Sequence, residues 1–245
     1  MKYMFLAILV LSLILTGCSN YSEEPINNIQ PTQEINTQQQ TSTHEETTTI
    51  VEEKSEPVYV EYDEEEVLAD TKPYLDAIIT DNHDLRVLAA EISEGCSDDE
   101  CRAVEIFDYV VMNYEYISDP RGVELIQSPH DTLEVGGGDC EDLTILYNSL
   151  LENVGIETKL VLTKDHAYSL VCGLDVESTN QYVADLLYDT TWDEYYNGID
   201  YYIFDDMDCI VGDGANGYFL GDDSNIEKEE KIAIDPITLT IDFLN

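Results

Sequence analysis

The apolar pattern of this 245-residue chain changes at Gly155, and the change limits the folds that it can adopt. Before Gly155 the apolar residues recur every three or four positions, which is typical of helices with one buried face. After Gly155 short β-rich runs are separated by Gly, Asp and Asn, which is typical of strands. Helices first and strands afterwards favour an α+β domain with a mostly antiparallel sheet.

The helical part predicts three helices between residues 64 and 116. Pro73 is a point where the first helix breaks or a second begins, and Asp98 or Asp99 caps the third. The later part predicts strands at residues 158–163, 166–176, 181–191, 201–204, 209–211 and 218–220. Residues 232–243 are interpreted as a last edge strand.

Another helix begins directly after three glycines, in the sequence Gly136-Gly137-Gly138-Asp139-Cys140. Its apolar residues share one face, and they are Leu143, Leu146, Leu150 and Val154. We expect Asp139 to cap this helix and Gly155 to end it. Cys140 then lies in the first turn, where unpaired N–H groups and the helix dipole favour a thiolate. Cys140 is therefore a candidate nucleophile.

The charge of the chain is strongly acidic, with 53 Asp and Glu against 10 Lys and Arg and a formal net charge of −43. Such a surface repels phosphate backbones, so the composition argues against a nucleic-acid partner. It suits cationic partners or a salty medium outside the cell, where screening weakens self-repulsion.

The N-terminus has the pattern of an export signal. After Lys2, residues 4–15 form an apolar run that is shorter than the ~20 residues of a spanning helix. It ends in Leu15-Thr16-Gly17-Cys18, which resembles the lipobox of prokaryotic lipoproteins. The resemblance implies a signal peptide at residues 1–17 and a lipid on Cys18. The alternatives are a signal peptide cut elsewhere or an uncleaved anchor, and each places the remaining chain outside the cytoplasm.

The composition then divides the rest of the chain. Residues 18–60 are rich in Thr, Gln, Asn, Glu and Ser, which bury too little apolar surface to fold, so they predict a disordered tether. Residues 61–245 form the predicted domain.

Five cysteines remain beyond Cys18, an odd number for a protein outside the cytoplasm. If Cys140 stays free, the other four can pair, and we favour Cys96 with Cys101 and Cys172 with Cys209. Four buried free thiols are the alternative. Metal binding is less favoured because the cysteines lack CxxC or Cys–His spacing, and nothing in the sequence indicates a metal or another cofactor.

A thiol nucleophile needs a base and a group that orients the base. His166 opens a predicted strand, and Asp189 ends another strand just before Thr190, Thr191 and Trp192. Asp185 is the competing acid.

The order of Cys140, His166 and Asp189 resembles the transglutaminase-like superfamily. The matching motifs are GDCED around Cys140, HAY from His166 and DTTW from Asp189, within residues 98–192. The resemblance implies a papain-like core, with the nucleophile at a helix N-terminus that packs on an antiparallel sheet. By carry-over Cys140 is the nucleophile, His166 the general base and acid, and Asp189 the residue that orients His166. The Cys140 backbone N–H is the expected oxyanion donor, because the preceding glycines allow close approach.

These observations predict an extracytoplasmic, membrane-anchored thiol enzyme that acts on protein or peptide amide bonds. Its partners would be the protein or peptide substrate and, through the lipid, the membrane. Protease, amidase and transamidase activities all fit. The alternative is a catalytically silent module for binding at the cell surface or in the envelope.

Overall fold

The computed structural model describes residues 63–194, 196–204, 206–224, 226 and 231–244. The predicted signal peptide, Cys18 and the tether lie outside the described residues.

Four helices precede Cys140, and each begins at a polar side chain that caps it. They are α1 (Glu64–Ala77), α2 (His83–Ile92), α3 (Asp99–Asn113) and α4 (Pro129–Val135). Asp63, Asn82, Asp98 and Ser128 accept hydrogen bonds from backbone N–H groups in the first turns. Pro73 lies inside α1 and does not end it. The cap of the third predicted helix is therefore Asp98.

The fifth helix, α5 (Cys140–Asn153), forms the centre of the domain. Nearly all of its residues are buried, because it contacts α2, α3, α4 and the sheet at once. Phe107 of α3 packs edge-on against Tyr147 with ring centroids 5.4 Å apart. A helix buried on every side is held rigidly, so its first residue, Cys140, has a fixed position.

A six-stranded antiparallel sheet follows the helices. Its strands are β3 (Thr158–Leu162), β4 (Ala167–Cys172), β5 (Tyr201–Phe204), β6 (Met207–Gly212), β7 (Lys231–Ile234) and β8 (Ile241–Leu244), in the order β5-β6-β4-β3-β7-β8. Val171 and Ile210 face the core that contains α5, whereas Leu170 and Val211 belong to the core on the opposite face. The α+β architecture agrees with the sequence-based prediction.

Two short strands, β1 (Glu115–Tyr116) and β2 (Gly137–Gly138), pair in parallel, and β2 ends just before the start of α5.

Three predicted strands differ from the structure. Residues 181–191 were expected to be extended, but most belong to α6 (Val176–Leu187). Thr179, Val183 and Leu187 are its buried residues, and their spacing of four is the period of a helix rather than that of a strand. Residues 218–220 are in turns, and residues 232–243 contain parts of two paired strands, β7 and β8.

The disulfides have the favoured pairing, Cys96 with Cys101 and Cys172 with Cys209, and Cys140 is free. The first closes the turn that leads into α3. The second joins partners at one end of the β4–β6 ladder. Disulfides persist in oxidising compartments outside the cytoplasm. Among the described helices, none has the length and apolar character needed to cross a bilayer.

Candidate active site

The loop before Cys140 needs glycine for two reasons. Gly136 ends α4 with φ +84°, a left-handed conformation that glycine adopts without strain. A Cβ on Gly138 would lie 2.6 Å from the Asp142 carboxylate, which accepts the backbone N–H of Gln127 at 2.7 Å. The glycines therefore allow the first turn of α5 to approach the preceding loop closely.

The start of α5 is joined to the strand that follows His166. Thr144 Oγ1, one turn after Cys140, donates to the Ala167 carbonyl at 3.2 Å. Since Ala167 is bonded directly to His166, this contact places the first turns of α5 next to the start of β4, which His166 precedes.

The histidine is held by a carboxylate that the sequence analysis did not select. His166 Nε2 lies 2.8 Å from Asp213 Oδ2, and the Asp213 side chain is 1% exposed. Asp213 Oδ1 accepts the backbone N–H groups of Ala215 and Asn216 at 3.1 and 3.0 Å. These contacts fix the Asp213 carboxylate, so Nε2 is the nitrogen that donates to it and Nδ1 remains to accept a proton.

The topology explains this pairing. In the antiparallel ladder of β4 and β6, Ser169 is opposite Gly212. The start of β4 and the end of β6 therefore lie at the same end of the sheet, so His166, just before β4, lies next to Asp213, just after β6. Asp213 was missed because this register is a long-range property. The available signal was a Gly-Asp-Gly sequence directly after the strand predicted at residues 209–211.

The predicted roles of Asp189 and its competitor Asp185 in orienting His166 do not match these contacts. Asp189 is exposed in the turn after α6, with φ +60°, and its backbone N–H donates to Asp193 at 3.4 Å. Asp185 lies on α6 and accepts from Gln181 Nε2 at 2.9 Å. The expectation failed because residues 181–187 are helical and do not form a strand beside β4.

The surroundings of Cys140 favour the protonated thiol, whereas the sequence analysis expected the helix start to favour a thiolate. Burial first, and then the Glu141 carboxylate, raise the pKa of Cys140 to about 12. Cys140 Sγ donates to Glu141 Oε2 at 3.3 Å. Within the described part of the chain, no hydrogen bond joins Sγ to His166. Desolvation at this buried helix start outweighs the effect of the helix dipole.

Buried acids surround the start of α5. Burial raises the pKa of Glu141 to about 8 and raises the pKa values of Asp139 and Asp142 as well. Glu141 Oε1 and Asp139 Oδ1 are buried without a hydrogen-bond partner. Asp139 occupies the cap position of α5, but its side chain makes no capping hydrogen bond, unlike the prediction. The nearby Asp139 charge adds to the effect of burial on the pKa of Glu141.

The same carboxylates are close enough to hold a hard cation. Oxygens of Asp139, Glu141 and Asp142 lie within 4.8 Å of one another, and so do oxygens of Asp119, Glu124 and Glu141. Carboxylate oxygens are the ligands that Ca²⁺ prefers.

Comparison with known protein families finds a model that matches part of the chain. The family model described as the transglutaminase-like superfamily matches residues 86–205. No curated protein matches the chain.

Two solved structures are similar to parts of the chain. A proposed protease from Parabacteroides distasonis ATCC 8503 has 14% identity and a TM-score of 0.37, and the match covers 44% of this chain and 24% of that one. A proposed cysteine protease from Cytophaga hutchinsonii has 16% identity and a TM-score of 0.35, with 72% and 53% covered. The chain thus spans a quarter to about half of these proteins.

The segment matched by the family model includes Cys140 and His166, and Asp213 lies beyond its end. Residues 86–205 are therefore similar to the transglutaminase-like superfamily.

Proposed function

We propose that this protein is an extracytoplasmic, lipid-anchored thiol enzyme that acts on protein or peptide amide bonds. Cys140 is the nucleophile, His166 the general base and acid, and Asp213, in place of Asp189, the residue that orients His166. The observation that carries this proposal is the His166–Asp213 contact of 2.8 Å, held beside a cysteine at a helix N-terminus. The match of residues 86–205 to the transglutaminase-like superfamily supports it.

In the proposed reaction His166 Nδ1 takes the Cys140 proton as the sulfur attacks the carbonyl carbon of the substrate. Asp213 stabilises the imidazolium that forms. The Cys140 backbone N–H, at the first position of α5, faces the developing oxyanion. As the C–N bond breaks, His166 returns the proton to the leaving amine. A thioester remains, which either water or a second amine resolves.

The proposed location rests on the N-terminal sequence and the cysteines. The apolar run that ends at Cys18 supports export and lipidation, and the Cys96–Cys101 and Cys172–Cys209 disulfides support an oxidising compartment. In this proposal residues 18–60 hold the domain, residues 61–245, away from the membrane.

The thiol environment is the observation that favours the second candidate function, a silent binding module. The Cys140 thiol is bonded to Glu141 and has a pKa raised to about 12 by burial first and by Glu141. In an enzyme with this resting state, the Cys140 thiol must exchange its hydrogen bond to Glu141 for one to His166 when substrate binds. A binding module has no need for that transfer.

Labelling with a peptidyl vinyl sulfone separates the two functions, because this electrophile modifies cysteines that a neighbouring base activates. The proposed enzyme becomes labelled at Cys140, as mass spectrometry of peptides would show. Cys140→Ala should remove the label. His166→Ala should slow it by about 10²–10⁴-fold, the usual contribution of general base catalysis.

His83→Ala is the matched control, because His83 is an exposed histidine at the start of α2. It should leave the labelling rate unchanged. Equal rates for the parent and His166→Ala would contradict the enzyme and favour the binding module.

A further inference from the structure

A cavity of about 430 Å³ opens beside the proposed catalytic residues. It is lined by residues 214–218 and, from other parts of the domain, by Val111, Tyr114, Tyr116 and Leu143. Its volume is within the range of small-molecule sites, about 300–1,000 Å³.

The cavity shares its walls with the proposed catalytic unit. Leu143 is three residues after Cys140, so the two lie on the same face of α5. Gly214 directly follows Asp213. Asn216 Nδ2 lies 3.4 Å from His166 Nε2. A group in the cavity would therefore be next to a carbonyl positioned at Cys140.

The walls are uncharged and partly aromatic. None of the described lining residues is Asp, Glu, Lys or Arg, although the chain carries 63 such residues, 53 acidic and 10 basic. Tyr218 stacks on Trp192 with ring centroids 3.8 Å apart, and the Tyr114 hydroxyl lies 3.1 Å from that of Tyr109. These contacts fix two of the aromatic walls. A charged group placed here would lose hydration and gain no ionic partner from the walls.

We propose that this cavity is the specificity pocket of the site, and that it receives an uncharged, mainly apolar side chain from the acyl part of the substrate. The proposal rests on the proposed function and adds the substrate class to it. Leu143 and the tyrosine rings provide the apolar contact. The overall acidity of the chain then affects how a substrate arrives, whereas this pocket selects the side chain beside the reacting carbonyl.

Binding to the pocket can be measured without turnover, because Trp192 is the only tryptophan of the chain and stacks on a wall residue. The Cys140→Ala protein would be titrated with N-acetyl-leucinamide, N-acetyl-lysinamide and N-acetyl-aspartic acid amide while Trp192 fluorescence is recorded. We expect a saturable change with the leucine compound. The two charged compounds should bind at least about tenfold more weakly.

Two variants locate the binding. Ala215→Phe fills the cavity and should remove the leucine response, whereas Ala90→Phe, on the exposed side of α2, should keep it. Asn216→Asp adds a negative charge to the wall and should make the lysine compound bind better than the leucine compound. A reversal of preference cannot arise from loss of folding.

The outcomes separate the pocket from the reaction. Saturable leucine binding without any vinyl sulfone labelling would support the pocket and contradict the proposed enzyme. Labelling of Cys140 with equal binding of all three compounds, or with no Trp192 response, would support the enzyme and overturn the pocket. A leucine response that persists unchanged in Ala215→Phe would also overturn it.

Discussion

The two halves of the candidate site are built in different ways. On the sheet side, both oxygens of Asp213 have donors, and His166 Nε2 lies 2.8 Å from one of them. On the helix side, Cys140 is bonded to Glu141, and two buried carboxylate oxygens have no hydrogen-bond partner. The candidate base is therefore already paired with a carboxylate, whereas the candidate nucleophile donates a hydrogen bond to an acid. In the proposed enzyme, activation requires a change on the helix side.

The sheet side should depend on the disulfide that joins β4 to β6. Replacing Cys172 and Cys209 by Ala should lower the free energy of unfolding by about 4 kcal/mol, because their sequence separation of 37 residues closes a long loop in the unfolded chain. Replacing Cys96 and Cys101, five residues apart, should cost only about 2 kcal/mol. Denaturant unfolding of both double variants tests the difference.

The shorter loop is the matched control for loss of two sulfurs. If both double variants lose the same free energy of unfolding, the disulfide between β4 and β6 stabilises the domain no more than the Cys96–Cys101 disulfide does. A larger loss in the Cys96–Cys101 variant would contradict the loop-length argument.

The helix side should become more reactive when Glu141 loses its charge. Glu141→Gln removes the carboxylate that accepts a hydrogen bond from the thiol. Burial is the largest cause of the raised Cys140 pKa of about 12, and the Glu141 charge is the second. Above the Glu141 pKa of about 8, where this carboxylate is charged, the rate of Cys140 alkylation by iodoacetamide should rise by about tenfold, the effect of one pKa unit. Mass spectrometry over time gives the rate.

Glu134→Gln is the control for this experiment, since Glu134 is an exposed acid on α4. It should leave the alkylation rate as it is. An unchanged or slower rate in Glu141→Gln would show that burial alone keeps the thiol protonated.

The buried acids on the helix side of the candidate site also predict how stability changes with pH. Burial raises the pKa of Glu141 from 4.5 to about 8, so the folded state holds a proton that the unfolded state releases in this interval. The Glu141 contribution is fully present below pH 4.5 and is lost as the pH rises through about 8. We expect the melting temperature to fall over this range by a few degrees.

Asp139 and Asp142 should add to the effect, because burial raises their pKa values too. The melting temperature of Glu141→Gln should fall less steeply over the same interval. A parent protein that becomes more stable towards pH 8 would contradict the raised pKa values of the buried acids on the helix side.

The parts of the site that sequence could predict are those with local causes. The α5 helix follows from its leucine spacing, and the position of Cys140 follows from the glycine run before it. The disulfide pairing follows from an odd count of cysteines and from a short turn between Cys96 and Cys101. The helix, the position of Cys140 and the Cys96–Cys101 turn involve only residues that are near in sequence, whereas the Cys172–Cys209 pair is what remains once these are assigned.

The parts that sequence analysis missed depend on burial and on strand register. Asp189 was chosen because residues 181–191 were interpreted as a strand, although the spacing of Thr179, Val183 and Leu187 fits a helix. Asp213 meets His166 only through the register of β6 on β4. The raised pKa of Cys140 follows first from desolvation, which exists only in the folded domain.

In the proposed enzyme Asp213, rather than Asp189, completes the site with Cys140 and His166. The most direct test is the rate of Cys140 labelling by a peptidyl vinyl sulfone in two matched variants, Asp213→Asn and Asp189→Asn. Asp213→Asn should lose at least about 10²-fold in rate, because His166 loses the carboxylate that orients it, whereas Asp189→Asn should keep the rate of the parent. A full rate in Asp213→Asn together with a large loss in Asp189→Asn would contradict the claim.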